Sequence, residues 1–84
     1  MNQTQFILSI ILTMRNVERL HPAVEVTGSE ALETMQNCLE LTNDEMPSTD
    51  DERAKLAAQF AQDYGHWLAA ERAEYQQWRE LYGD

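Results

Sequence analysis

Gly and Pro, the residues typical of tight turns between strands, are scarce in this sequence. Only three Gly and two Pro occur among its 84 residues, which argues against a fold of strands and turns. Cys38 is the only cysteine, so it has no partner for an intramolecular disulfide. A lone thiol fits a reducing compartment, and we expect a cytoplasmic protein.

Long hydrophobic runs are also missing. The apolar stretch FILSIIL (residues 6–12) is too short to cross a bilayer, and neither a preceding Lys or Arg nor a small-residue cleavage site accompanies it. We therefore expect neither a signal peptide nor a membrane span. Hydrophobic residues still make up 43% of the chain, too large a share for a wholly disordered protein.

Positive charge is absent from the middle third of the chain. Residues 23–52 contain nine acidic residues and no Lys or Arg, and they account for the whole formal charge of −9. The segments before and after them carry +1 and −1. Such a segment repels a phosphate backbone, so we expect no direct binding of nucleic acid, and it attracts an electropositive partner.

Three helical stretches are indicated by the spacing of apolar residues. The first extends over about residues 4–20 and ends before Pro22. Its main face is formed by Phe6, Ile7, Ile10, Met14 and Val17. Leu8 and Leu12 lie on another side, and a helix that is apolar on two sides is usually buried between neighbours.

The second predicted helix follows a cap at Thr27 or Ser29 and extends to about Thr42. Its expected core face is formed by Ala31, Leu32, Met35, Cys38 and Leu39. On the roughly opposite face lie Glu30, Glu33, Asn37 and Glu40. This pattern is typical of an amphipathic surface helix with an acidic outer side.

The third predicted helix, residues 50–82, follows a capping box formed by Thr49 and Glu52. One stripe contains Leu56, Phe60, Tyr64, Trp67, Leu68, Tyr75, Trp78 and Tyr82. A helix of this length is about 50 Å long, whereas the other two are each about 25 Å. Two short helices cover about half of it. The chain therefore either bends near Gly65 or leaves its end for another polypeptide, and the lengths favour the second alternative.

These elements predict an all-α fold, in which residues 1–84 form a single helical domain with three main helices and a long C-terminal one. Glu71 falls within the apolar stripe of the last helix. Because a lone buried carboxylate is costly, we expect Glu71 either to pair with Arg15 or Arg19 or to be partly open to water.

Catalytic and metal-binding motifs are not found. The sequence contains no HExxH, no CxxC pair, no Gly-rich phosphate loop and no nucleophile elbow. The acidic stretch NDEMPSTDDE (residues 43–52) lacks the central Gly of a calcium loop. His66 follows Asp63 at a spacing that often arises by chance, and Cys38 is expected to be a small buried residue. We expect no enzymatic activity, cofactor or metal.

Two sets of residues are candidates for partner binding. The first is an acidic segment, formed by Glu30, Glu33, Glu40, Asp44, Glu45, Asp50, Asp51 and Glu52. It is interpreted either as a solvated face with well-capped helix ends or as a docking strip that imitates a phosphate track. The second set is interpreted either as core or as an anchor for a dimer or partner, and contains Tyr75, Trp78, Arg79 and Tyr82.

The functional hypothesis is a small acidic module that inhibits or regulates a partner protein by covering a basic, nucleic-acid-binding surface. Small phage-encoded inhibitors and anti-CRISPR proteins act in this way, and the analogy is one of size and charge alone. The alternative is a homodimeric structural or assembly protein whose long helices pair.

Overall fold

A computed structural model describes residues 1–83 as three α-helices joined by two connections. The helices are α1 (Gln3–Glu18), α2 (Gly28–Leu39) and α3 (Asp50–Tyr82), and a 3-10 turn (Asn43–Glu45) precedes α3. No strand occurs within these 83 residues. The prediction of an all-α fold with a long C-terminal helix is confirmed. Asp84, which belongs to the predicted domain, lies outside the described residues.

Helix α1 begins with a reciprocal cap. The Asn2 side chain accepts a hydrogen bond from the Gln5 backbone N–H at 2.8 Å, and the Gln5 side chain accepts one from the Asn2 N–H at 3.0 Å. The helix ends at Glu18 because Arg19 adopts the left-handed conformation, with φ of 52°. A change of backbone handedness therefore ends α1 before Leu20 and Pro22 are reached.

Only one apolar side of α1 is buried. The core receives Phe6, Ile10 and Met14, as the periodicity predicted. Leu8 and Leu12, on the other side, keep 53% and 56% of their surface exposed. Val17 was predicted on the main face but is exposed as well, so the buried part of that face ends at Met14. The expectation that neighbours would cover both sides is wrong, because α2 and α3 both pack against the side that carries the core residues.

Helix α2 has the predicted cap and the predicted core face. The Thr27 hydroxyl accepts a hydrogen bond from the Glu30 backbone N–H at 3.1 Å. The first helical residue, Gly28, lies so close to Ile7 that a Cβ atom there would be 3.3 Å from its Cγ2. The predicted apolar residues are either buried or packed against the core: Ala31, Met35, Leu32, Cys38 and Leu39.

The C-terminal end of α2 comes earlier than the predicted Thr42. The helix ends at Leu39 because the backbone of Glu40 adopts the left-handed conformation, with φ of 55°. The Glu40 N–H donates a hydrogen bond to the Gln36 carbonyl. The Gln36 side chain then donates a hydrogen bond to Asn43 at 2.9 Å, which holds the 3-10 turn against the end of α2.

Helix α3 begins where the capping signal placed it. The Thr49 hydroxyl accepts a hydrogen bond from the Glu52 N–H at 3.2 Å. The Glu52 carboxylate accepts one from the Ser48 N–H at 3.1 Å, so the second arm of the cap reaches one residue further back than expected. Three acidic residues in the first turn suit the positive end of the helix dipole.

Helix α3 then runs unbroken through Gly65. A Cβ atom at Gly65 would meet nothing within 4 Å, so the residue lies on an open side of the helix. The core takes three residues of α3, namely Ala57, Phe60 and Tyr64, while Leu56, Trp67 and Leu68 pack against it. Every residue from Ala69 to Tyr82 is exposed. We call residues 69–82 the overhang.

Candidate protein-interaction surfaces

The acidic segment is exposed at all eight predicted positions. Three of the eight carboxylates have local structural partners. Glu45 accepts hydrogen bonds from Thr42, Glu52 caps α3, and Asp50 forms an ion pair with Arg53 at 2.8 Å. Glu45 and Glu52 therefore act as helix caps, as the interpretation of well-capped helix ends expects, and Asp50 is neutralised by a neighbour on its own helix.

The other five carboxylates of the segment make no hydrogen bond or ion pair within residues 1–83: Glu30, Glu33, Glu40, Asp44 and Asp51. They lie on the outer face of α2, at its end, in the 3-10 turn and in the first turn of α3. Each is an unpaired negative charge in contact with solvent. Together they form the part of the segment that is free to meet a positively charged surface.

The overhang carries the second candidate surface. The rings of Tyr75 and Trp78 have centroids 6.4 Å apart, and those of Trp78 and Tyr82 are 5.8 Å apart. Trp78 is 55% exposed and Tyr82 is 74% exposed. Arg79 lines an open depression of about 560 Å³ beside Tyr75 on this single helix. Because no second helix faces it, the depression is a surface furrow and does not enclose a ligand.

The same stripe of α3 is buried in the first half of the helix. Phe60 and Tyr64 have ring centroids 4.7 Å apart, and Tyr64 and Trp67 are stacked at 5.9 Å. Tyr64 is only 1% exposed. One helix thus carries two aromatic groups on one stripe, and only the first has covering helices. The core interpretation of the stripe applies up to Leu68 and fails beyond it.

Glu71 lies in the uncovered part of the stripe and is exposed. The predicted pairing with Arg15 or Arg19 is not formed, since the only ion pair within residues 1–83 joins Arg53 to Asp50. The other predicted alternative, a stripe open to water at this position, is the one that the structure takes.

Two ionisable groups, Tyr64 and Cys38, lie near the places where α1 and α2 end. Tyr64 is buried, whereas Cys38, which was expected to be buried, is only half-buried. Burial and the neighbouring Glu18 carboxylate raise the pKa of the Tyr64 phenol. Burial, with a smaller contribution from Asp63, raises the pKa of the Cys38 thiol. Glu18 is the last residue of α1, and Cys38 lies one residue before the end of α2. Both helices therefore end near the middle of α3, before the overhang begins.

Within residues 1–83, His66, Asp63 and Cys38 belong to no group that could hold a metal ion. His66 is exposed, and the Asp63 carboxylate accepts a hydrogen bond from Gln59. A thiol with a raised pKa is a poor nucleophile because little thiolate forms. In the part of the chain described, no group of three or more His, Cys, Asp or Glu side chains could hold a metal ion.

The described helices include none with both the length and the apolar character needed to span a membrane. Among the apolar residues that sequence reasoning did not assign to a surface, the most exposed are Leu8, Leu12 and Leu81. The four-residue spacing of Leu8 and Leu12, away from the core face of α1, was the available signal for the first two. Leu81 lies beside the aromatic stripe, and its spacing did not distinguish it from the neighbouring residues.

Comparison of the chain with models of protein families, with curated proteins and with solved structures returned no match. Two surfaces of this molecule bear on its function: the acidic segment and the overhang.

Proposed function

We propose that the protein is a non-catalytic interaction module that docks on a basic surface of a partner protein. One observation carries the proposal. Five exposed carboxylates have no partner inside the described chain, in a segment without any Lys or Arg. Because desolvating a charge is costly unless it finds a counter-charge, such a surface favours partners rich in Lys and Arg.

A basic surface of this kind commonly serves to bind nucleic acid through its phosphates. A strip of carboxylates that occupied it would compete with the phosphate backbone, so the expected effect is inhibition or regulation of a nucleic-acid-binding protein. Phage-encoded inhibitors of the anti-CRISPR type are the corresponding class of proteins. The lone Cys38 thiol supports a reducing compartment such as the cytoplasm as the place of this activity.

Charge reversal tests the proposal. The wild-type protein and a variant with Glu33, Glu40 and Asp44 replaced by Lys are used to capture proteins from a lysate of the native host. We expect the variant to keep its helicity, because all three residues are exposed, and to lose the captured partner. Polyanions such as heparin, and rising salt, should release the partner from the wild-type protein.

The matched control replaces Glu74, Gln76, Gln77 and Glu80 by Lys, which changes the net charge equally at exposed positions of the overhang outside its aromatic stripe. Retention of the partner by this control is expected. Equal loss from both variants would show that overall charge, and not the acidic segment, governs binding. Capture that survives reversal of the segment would overturn the proposal.

A second candidate function is homodimeric assembly through the overhang. The specific observation in its favour is the exposure of Tyr75, Trp78 and Tyr82 on a length of helix that nothing within residues 1–83 covers. Sedimentation equilibrium at micromolar concentrations tests it, and a monomer throughout that range would remove it. The two functions are compatible, because the acidic segment and the overhang use different residues.

A further inference from the structure

We propose that two copies of the chain pair antiparallel through their overhangs, with Tyr75 of one copy opposite Trp78 of the other. This inference rests on the homodimeric candidate function and adds the orientation and register of the pair. It is independent of docking by the acidic segment.

The second half of α3 carries side chains at the spacing of a face through which two helices pair. We call this face, which runs from Tyr64 to Tyr82 and includes Glu71, the seam. Intervals of four and three residues alternate along Tyr64, Leu68, Glu71, Tyr75, Trp78 and Tyr82. Alternating intervals of this kind place side chains on one narrow face, which packs against a second helix. The seam begins inside the bundle at Tyr64 and continues without a change of spacing to the last residue of α3.

The bundle itself decides how a second helix can approach. Within each copy, the bundle buries Tyr64 and packs against Leu68, and every seam residue after Leu68 is exposed. A parallel partner helix would place its own bundle beside the same part of the seam, where α1 and α2 already lie. A helix that enters from the tip of the overhang meets no obstacle until it reaches the ends of α1 and α2. The overhang of a second, antiparallel copy approaches from this tip.

The position of Glu71 fixes the same orientation and selects a register. In a parallel pair, the two Glu71 carboxylates would face each other across the seam, which is unfavourable for like charges. When Tyr75 lies opposite Trp78, antiparallel pairing places Glu71 opposite Tyr82 of the second copy. A carboxylate can accept a hydrogen bond from a tyrosine hydroxyl, so this register gives the charge a partner.

Charge distribution favours contact between overhangs over other contacts between two acidic copies. Residues 69–82 contain two Arg and three Glu, a net charge of −1, whereas residues 23–52 carry −9. Antiparallel pairing brings the nearly neutral ends together. The first turns of the two α3 helices, each with three acidic residues, then lie at opposite ends of the assembly.

The available apolar area is sufficient for a small interface. Aromatic side chains each have about 150–250 Å² to bury, so three partly exposed rings per copy supply on the order of 700 Å² in a dimer. Leu81 is 75% exposed and lies beside the seam. With its contribution and the Arg72 and Arg79 stems, the total approaches the roughly 1,200 Å² at which specific interfaces begin.

Distances between spin labels test orientation and register together. In a Cys38→Ala background, single nitroxide labels are placed at Lys55→Cys or at Gln77→Cys, both exposed in α3. At 1.5 Å per residue, the proposed register puts the two Lys55 positions about 65 Å apart. The two Gln77 positions flank the seam centre, with helix axes about 10 Å apart, so their labels lie within about 30 Å.

Each outcome of the labelling experiment either supports the antiparallel pair or overturns it. A long Lys55 distance with a short Gln77 distance supports the proposal. Short distances at both positions would show parallel pairing and overturn the orientation while leaving dimerisation intact. Long distances at both positions would place the contact outside the overhang. A monomer at labelling concentrations would overturn the homodimeric function together with this inference.

Discussion

Arg19 is the residue at which the backbone of α1 reverses its handedness. A side chain with φ of 52° is strained by its Cβ atom, and Gly has no such cost. We expect Arg19→Gly to raise the free energy of unfolding by about 1 kcal/mol, measured by urea denaturation. Arg19→Ala is the matched control, since it removes the charge and keeps the Cβ atom. Equal stability of the two variants would contradict this account of the helix end.

Tyr64 predicts how stability depends on alkaline pH. Its raised pKa means that the folded protein keeps the phenol proton at a pH where the unfolded chain, with an ordinary tyrosine pKa of about 10, loses it. The free energy of unfolding should therefore fall as the pH rises through about 10. We expect a shallower fall in Tyr64→Phe, measured by urea denaturation at a series of pH values. An identical pH profile in that variant would show that Tyr64 does not cause the loss.

Helix α3 is packed along its first half and uncovered along its second half. Its first half is held by the core and by the N-terminal cap at Thr49, while the overhang depends on its own backbone hydrogen bonds. Isolated helices of about 12–15 residues are marginal in water, so continuity with the packed half stabilises the overhang. The weakest point of that connection is Gly65, the residue of lowest helix propensity between the two parts.

Gly65→Ala should strengthen the connection. The added methyl group meets no atom within 4 Å, and Ala is favoured over Gly inside a helix by about 1 kcal/mol. We expect an increase of that size in the free energy of unfolding and a rise in helix content by circular dichroism. Gly28→Ala is the contrasting variant, because its new Cβ atom would lie 3.3 Å from Ile7. A destabilised Gly65→Ala variant would indicate that the open side of α3 is occupied in solution.

At the scale of the whole molecule, charge and apolar surface are separated along α3. The principal dimensions are 47 by 30 by 20 Å, and a 33-residue helix of about 50 Å accounts for the longest of them. Acidic residues occupy its first turn, and exposed aromatic residues occupy its last turns. This arrangement allows one end to meet a basic partner while the other end meets a second apolar surface.

Trp78→Ala tests which of these roles the overhang has. Because Trp78 is 55% exposed and lies outside the core, the variant should unfold at nearly the wild-type temperature when measured at low protein concentration. Truncation of a Trp at the centre of an interface commonly weakens association by about 30-fold or more, which sedimentation would detect. Gln77→Ala, one position away, should leave association unchanged. If Trp78→Ala loses helicity and Gln77→Ala does not, the Trp78 ring belongs to a monomer core.

Periodicity and capping chemistry were enough to locate the helices. The Thr49–Glu52 signal and the spacing from Leu56 to Tyr82 predicted the bounds of α3, because both are local properties of the chain. The ends of α1 and α2 were predicted a few residues beyond their true positions. Arg19 and Glu40 adopt left-handed conformations there, and neither residue type favours that conformation. The 3-10 turn was missed because it depends on contact with Gln36.

The sequence by itself determined the all-α class, the core face of each helix and the one-signed charge of residues 23–52, because each follows from residue type and spacing. Tertiary structure alone decided which apolar residues stay exposed. Leu12 and Ile10 are equally apolar, and so are Trp67 and Trp78, yet only one of each pair meets a neighbouring helix. Burial depends on where α1 and α2 end against α3, and that position is a property of the packed molecule.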